Sequence, residues 1–360
     1  MQRFIAKVGK GQKAWKDLTW QEAKQAMRLL IEGEATPAQV GAFLLAMRVK
    51  MESVAELAAF TAAVREYVEP LPVPGHIPLV DLPTYAGKQD TFHASIAAAI
   101  VAAAGGGAIL MHGHEAVPDR PGTAPVLAKL GIPTDLLPKR AVEELASKGF
   151  AYLDIALYHP PIARFLDLRQ ELGVRNFFSP VARMLNPARA SSQVIGLTHP
   201  PYFEKTAEAL LMLGCRHALI LRGVEGDPEL SIAGVTKLLE VRGERTFPLT
   251  LLPKDLGLPL GSPREMAGFP RAKMGQEAAL LRGILHNQIR GGQRNWIIQN
   301  AAMLLYAGRK GSSIAACVPL AQQALDSGAA AQKLAELAVA GEAVGASVTG
   351  VPRSGEDLVP

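Results

Sequence analysis

Two loops within residues 83–131 have the outline of an anion site but lack most of the residues that bind phosphate, leaving a residual cleft. Tyr85, Gly87 and Lys88 stand in the first, and the TFHAS run at 91–95 opens an Ala-rich helix through Ala104. A helix N-terminus offers free backbone N–H groups and the positive end of its dipole, so Ser95 is well placed beside a bound anion. The second loop, 112–122, brings His112, Gly113, His114 and Glu115. Farther on, His159 before Pro160-Pro161 could contact a ligand, although a histidine there often simply fixes a turn. Glu225, Asp227 and Glu229 in the stretch RGVEGDPEL are weak candidates for an oxygen site holding a divalent cation. A solvated acidic turn is the other reading, and no metal is assigned.

Basic residues form a separate signal. Lys7, Lys10, Lys13 and Lys16 recur every three residues and would make one stripe on a helix, although Gly9 and Gly11 weaken that helix. Arg271, Lys273, Arg282, Arg290 and Arg294 sit among glycines and amides, where Gly291-Gly292 permits close approach to a phosphate chain. Arg164, Arg169, Arg175 and Arg183 form a third cluster that would extend the stripe if their helices lie by the cleft.

These side chains need a frame. Helical periodicity runs from 18 to 68, with Thr19 and Glu22 as a capping box and Thr36 before Pro37 as a second start. A proline-rich hinge follows at 69–78. Strand-like apolar runs at 79–82, 108–111, 151–155, 194–197 and 218–221 then alternate with helical segments, the pattern of an α/β domain. The expected division is a small helical domain at 1–70, joined by returning helices at about 160–185, and an α/β domain at 79–338. Residues 339–360 lack periodicity and read as a flexible tail.

Composition fits a folded chain of 360 residues, 49% hydrophobic and 20% charged, with a formal net charge of +5. Two cysteines make a disulfide framework unlike this chain, and no cationic-then-apolar signal opens it. Residence in the cytoplasm is the expectation, with no membrane partner.

The chain resembles the anthranilate phosphoribosyltransferase family of glycosyltransferase family 3, and more closely its divergent YbiB-like branch. The enzymes' GTGGD loop falls on Pro83, Thr84, Tyr85, Ala86 and Gly87, and TFNIS on Thr91 to Ser95. Their KHGNR falls on Met111 to Glu115. The HPA and VRRELG motifs appear as His159-Pro160-Pro161 and Leu168 to Gly173, with Gln170 in place of one arginine. The resemblance implies a Mg²⁺ held by an adjacent Asp-Glu pair, whose positions here are Pro228 and Glu229. It also implies a small all-helical N-terminal domain beside a large α/β domain with a central, mostly parallel sheet.

Glycines, cations and a metal ligand are thus replaced in the loops. The expectation is a catalytically degenerate phosphoribosyltransferase-fold homodimer that binds DNA or RNA non-specifically. Its nucleic-acid contacts would be Arg271, Lys273, Arg282, Arg290, Arg294, Arg164, Arg169, Lys10 and Lys13, and it would need no cofactor. The first alternative is an active phosphoribosyltransferase acting on an unidentified nitrogenous acceptor, with Tyr85, Lys88 and His114 as a remodelled phosphate site and Mg²⁺ as cofactor. The second is a nucleotide-sensing or interaction scaffold.

Overall fold

The computed structural model describes residues 1–11, 14–69, 71–115 and 120–338. The N-terminal helices are α1 (Gln2–Val8), α2 (Trp20–Ile31), α3 (Pro37–Lys50) and α4 (Val54–Arg65). Capping boxes start α2, α3 and α4 at Thr19–Glu22, Thr36–Gln39 and Ser53–Glu56. In each, the N-cap hydroxyl accepts from the N3 amide while the N3 side chain accepts from the N-cap amide.

The α/β part runs β1 (Leu79–Thr84), α5 (Ala94–Ala104), β2 (Ala108–Gly113), α6 (Thr123–Leu130), α7 (Pro138–Lys148) and β3 (Phe150–Asp154). Next come α8 (Ile155–Tyr158), α9 (Pro160–Leu172), α10 (Phe178–Arg183), β4 (Ser192–Gly196), α11 (Pro201–Met212) and β5 (His217–Leu221). A hairpin of β6 (Thr236–Arg242) and β7 (Arg245–Leu251) precedes α12 (Met274–Leu285), α13 (Gly292–Ala307), α14 (Ile314–Asp326) and α15 (Ala329–Ala338). The seven strands form one sheet in the order β3-β2-β1-β4-β5-β6-β7. The first five are parallel, and β6 and β7 are antiparallel. The expected strands and the mostly parallel sheet are therefore present, with the β6–β7 hairpin added at one edge.

Helices cover both faces of the sheet. Apolar α5 lies buried on one side with α13 and α15, its Ala-rich surface allowing close approach of backbones. On the other side, α9 and α10 return to the N-terminal helices, where Phe177 stacks on Phe60 at 4.6 Å and meets Phe43 edge-on at 6.1 Å. Phe43, Leu44 and Met47, whose apolar face suggests a contact between subunits, are buried within this one chain. The large apolar side chains left outward on α3 are Leu45 and Val49, both exposed.

The lysine stripe does not form. The helix α1 ends at Val8, so Lys10 lies beyond it, and Lys7 is ion-paired with Glu22 at 2.5 Å. Lys13 and the expected tail at 339–360 lie outside the described residues, as do Pro118 and Asp119 of the second loop. Among the described residues, no helix is long and apolar enough to cross a membrane.

Candidate active site

The loops after β1, β2, β4 and β5 meet at the C-terminal edge of the parallel strands, where open α/β sheets hold their ligands. Close approach fixes the loop after β5. A Cβ on Gly223 would fall 1.8 Å from the Asp227 carbonyl oxygen, and one on Gly196 would fall 2.2 Å from the Asp227 carbonyl carbon. Glycine at both places lets the acidic turn press against the end of β4.

The turn then reaches back to the loop after β1. The Glu225 carboxylate accepts from the amides of Gln89 (3.1 Å), Asp90 (3.2 Å) and Thr91 (2.9 Å) and from the Thr91 hydroxyl (2.7 Å). Glu225 adopts a left-handed φ of 53° to do so. Burial would raise its pKa, but the donors on the 89–91 segment overcome this and hold it below the usual carboxylate range.

Protein carboxylates also take the start of α5. The Ser95 amide donates to Glu229 Oε1 at 2.8 Å, and the His93 amide donates to Glu277 Oε1 at 2.7 Å. Burial alone would lower the His93 pKa, yet the hydrogen bond and charge of Glu277 raise it. The sequence places a bound anion at this helix start, and side-chain carboxylates stand there instead. Glu229 Oε2 accepts from Lys88, which also donates to Thr91 Oγ1 at 3.0 Å and lies under the Trp296 ring at 5.3 Å. Asp227 is buried, and neither of its carboxylate oxygens has a hydrogen-bond partner.

These contacts decide the fit of a divalent cation. Both oxygens of Glu229 are occupied, those of Glu225 are held by the 89–91 segment, and Pro228 supplies no side-chain ligand. Among the described residues, no group of three His, Cys, Asp or Glu is placed to hold a metal ion. The residues present do not fit Mg²⁺.

The remodelled phosphate site expected from Tyr85, Lys88 and His114 is not assembled, since the three turn to different partners. Tyr85 bonds His112 Nδ1 at 2.9 Å and Tyr158 at 3.0 Å, and burial pushes its phenol well above the ordinary range. His112 Nε2 faces Asp81 Oδ1 at 3.1 Å in the buried sheet. His114 bridges Asp154 at 3.3 Å and Asp167 at 3.0 Å, tying the end of β3 to α9. His159 Nε2 reaches the Val64 carbonyl at 3.1 Å, and burial lowers its pKa, so it joins α9 to α4 rather than meeting a ligand. Gly113 ends β2 with no room for a side chain, a Cβ there lying 2.7 Å from the Thr84 carbonyl oxygen. Glu115 accepts from the Gly122 amide at 3.2 Å, and burial raises its pKa.

The cations that do converge are Arg120, Arg169, Arg175 and Arg183. They line a small pocket of about 50 Å³ with Tyr85, Ser179, Thr198 and Glu225. Gly87 helps place Arg120: its φ is +64°, and a Cβ would lie 2.5 Å from the Arg120 carbonyl oxygen. Arg183 donates to the Ser179 carbonyl at 2.9 Å, while its Nε is out of solvent and without a partner. Burial pushes its guanidinium down to about 10. Burial also lowers Arg169 and Arg175, with Arg120 adding charge repulsion to both. Among the described residues, Arg169, Arg175 and Arg183 have no carboxylate within ion-pair distance. Arg175 and Arg183 also line an adjoining cavity of about 280 Å³ with Arg48, Asn176, Leu197 and Tyr202. Sequence reasoning names Arg175 and Arg183 as part of a cluster but misses Arg120, Ser179 and Thr198, which only the fold brings to it.

The other basic residues assigned to nucleic acid are scattered. Arg290 and Arg294 both bind Asp326, at 3.1 and 2.7 Å, and Arg294 is buried. Arg282 donates to the Lys129 carbonyl at 3.3 Å, and Arg271 and Lys273 lie on an exposed turn before α12. Arg164 is exposed on α9, whereas Arg169 on the same helix belongs to the arginine pocket.

Comparison with known proteins overturns the nucleic-acid reading. An anthranilate phosphoribosyltransferase of Acetivibrio thermocellus is 32% identical over 337 residues, covering 93% of this chain and 95% of that protein. One of Moorella thermoacetica is 36% identical over 333 residues, covering 92% and 95%. The crystal structure of anthranilate phosphoribosyltransferase (TrpD) from Thermus thermophilus is 31% identical, with a TM-score of 0.83 over 95% of this chain and 99% of that one. Relatives of such extent named as enzymes point to an active enzyme, not a degenerate DNA or RNA binder. The arginines and lysines assigned to nucleic acid lose that assignment; Arg290 and Arg294 pair with Asp326, Arg282 donates to the Lys129 carbonyl and Arg169 lines the pocket. Two family models, described as the helical bundle domain and the a/b domain of the glycosyl transferase family, match residues 2–68 and 79–331. The chain therefore belongs to the glycosyl transferase family and is anthranilate phosphoribosyltransferase-like in fold.

Proposed function

We propose that the protein is a phosphoribosyltransferase that moves a phosphoribosyl group from a phosphorylated donor of the phosphoribosyl pyrophosphate type to a small nitrogenous acceptor. The observation that carries this is the convergence of Arg120, Arg169, Arg175 and Arg183 on one pocket, at the strand edge where ligands of this architecture bind. Guanidinium groups without carboxylate partners are matched to phosphate oxygens, which they hold in a bidentate fork.

In the reaction, the bond from ribose C1 to the diphosphate oxygen breaks and a C1–N bond forms. The nitrogen then loses a proton. Charge builds on the departing diphosphate, and pre-placed arginines stabilise it. The hydroxyl of Tyr85 is engaged by His112 and Tyr158 and takes no proton in this step. The adjoining cavity of about 280 Å³, with arginines at one side and Leu197, Pro180 and Tyr202 as walls, suits a planar acceptor carrying a carboxylate. Anthranilate is the first acceptor to test, given the names of the relatives. The test is release of diphosphate from phosphoribosyl pyrophosphate in the presence of an acceptor; no release with any nitrogenous acceptor would sink the reading.

A homodimer belongs to the same proposal. Leu45 and Val49 stand one turn apart on the outer face of α3 and are exposed. Apolar side chains so placed mark a contact between copies.

A further inference from the structure

We propose that the Lys88 ammonium is a tethered replacement for the divalent cation of this fold, so that the protein handles its phosphorylated donor without a metal. The statement about the donor rests on the function proposed above. The replacement itself stands on the contacts of Lys88 and on the position that the resemblance assigns to Mg²⁺.

Lys88 lies in the loop after β1 and reaches Glu229, 141 positions away, in a contact from which solvent is excluded on both sides. Glu229 occupies the second position of the Asp-Glu pair that the family resemblance assigns to Mg²⁺, and Pro228 occupies the first. Two changes therefore match in charge: one carboxylate is gone, and a single positive charge stands where a double one would be balanced. The ammonium is held from the remaining directions by Thr91 Oγ1 at 3.0 Å and by the face of buried Trp296 at 5.3 Å. A buried ammonium needs such partners, and Glu229 supplies the charged one. A divalent ion entering here would displace Lys88 or stand beside it unscreened. Mg²⁺ also demands near-octahedral oxygens, and the unpartnered carboxylate of Asp227 is one group alone.

The arrangement makes Lys88 a positioning residue. It fixes Glu229, which in turn holds the Ser95 amide at the start of α5. Removing the ammonium leaves Glu229 and Asp227 as two buried carboxylates beside the hydroxyls of Thr91 and Ser95. That oxygen set attracts a cation.

The test uses Mn²⁺ and Mg²⁺ alone as probes, by electron paramagnetic resonance and calorimetry, on the full chain and on K88A and K88M. The wild type is expected to bind neither ion with a Kd below ~1 mM, the weak end of protein oxygen sites, and its Tm to ignore both. K88A is expected to melt on the order of 5–10 °C lower and to recover most of that loss in millimolar Mn²⁺, because a broken buried pair leaves an uncompensated charge. Pyrophosphate binding to the wild type should be unchanged by EDTA. Submillimolar Mn²⁺ binding to the wild type that E229Q abolishes would overturn the proposal, as would a K88A whose melting is indifferent to cations. Should K88A and K88M both fail to fold, the wild-type titration and the EDTA comparison decide. Failure of the enzyme reading would appear instead as no diphosphate release with any acceptor, and it leaves the cation measurements untouched.

Discussion

Replacing Arg183 by methionine should move stability and anion affinity in opposite directions. The side chain keeps its length but loses the guanidinium, whose Nε is enclosed without a partner and whose pKa is pushed down to about 10 by burial. A cation depressed in the folded state destabilises the fold at every pH below its folded pKa, and the penalty disappears only as pH rises above about 10. Relative to an exposed guanidinium, the shift corresponds to an upper limit of ~3 kcal/mol. Against this stands the loss of one charged hydrogen bond to the Ser179 carbonyl, ~1.5–3 kcal/mol. R183M should thus be as stable as the wild type or up to ~1.5 kcal/mol more stable, equally at pH 6 and pH 9. Affinity for pyrophosphate should fall ~10–150-fold, the value of one charge-assisted contact. Urea denaturation measures the first quantity and calorimetry the second. A variant that loses several kcal/mol of stability while binding pyrophosphate unchanged would show that Arg183 is structural, and the argument for an anion pocket would fail.

Three further outcomes follow from the same geometry. E225A frees the amides of residues 89–91 and removes a negative charge from the pocket, so pyrophosphate should bind ~10-fold tighter or better; weaker binding in calorimetry would mean that Glu225 organises the site rather than blocks it. Burial opposes the charge on His114, but Asp154 and Asp167 win and raise its pKa above 6.5. The stability it contributes is therefore complete below that unfolded value and lost as pH rises through the raised folded one, so chemical denaturation of H114N should lack a pH-dependent component that the wild type has. For assembly, light scattering at micromolar concentration should give a dimer for the wild type and a monomer for L45E/V49E; a wild-type monomer would refute the proposed contact.

Local chemistry makes much of the scaffold legible. Thr19 with Glu22 and Thr36 with Pro37 mark the starts of α2 and α3, and the apolar runs at 79–82 and 108–111 fall inside β1 and β2. The hairpin is not legible, because β7 is exposed along nearly its whole length and Pro248, in the middle of its alternating Phe247, Leu249 and Leu251, argues against a strand. The site is half legible for a similar reason. The TFHAS run correctly opens α5, but what occupies its amides comes from Glu229 and Glu277, 134 and 184 positions away. No local pattern reports such a pairing. Lys88 reads as part of a remodelled phosphate site until Glu229 is seen beside it, and Arg120 gains meaning only where Arg169, Arg175 and Arg183 meet it.

Transfer of a phosphoribosyl group is read out by phosphorus NMR of phosphoribosyl pyrophosphate incubated with the protein. With anthranilate and a panel of other small nitrogenous acceptors, diphosphate release should depend on the acceptor and be strongly reduced in R183M and R175M. Intact donor with every acceptor, or release that is equal in the wild type and both arginine variants, would contradict it.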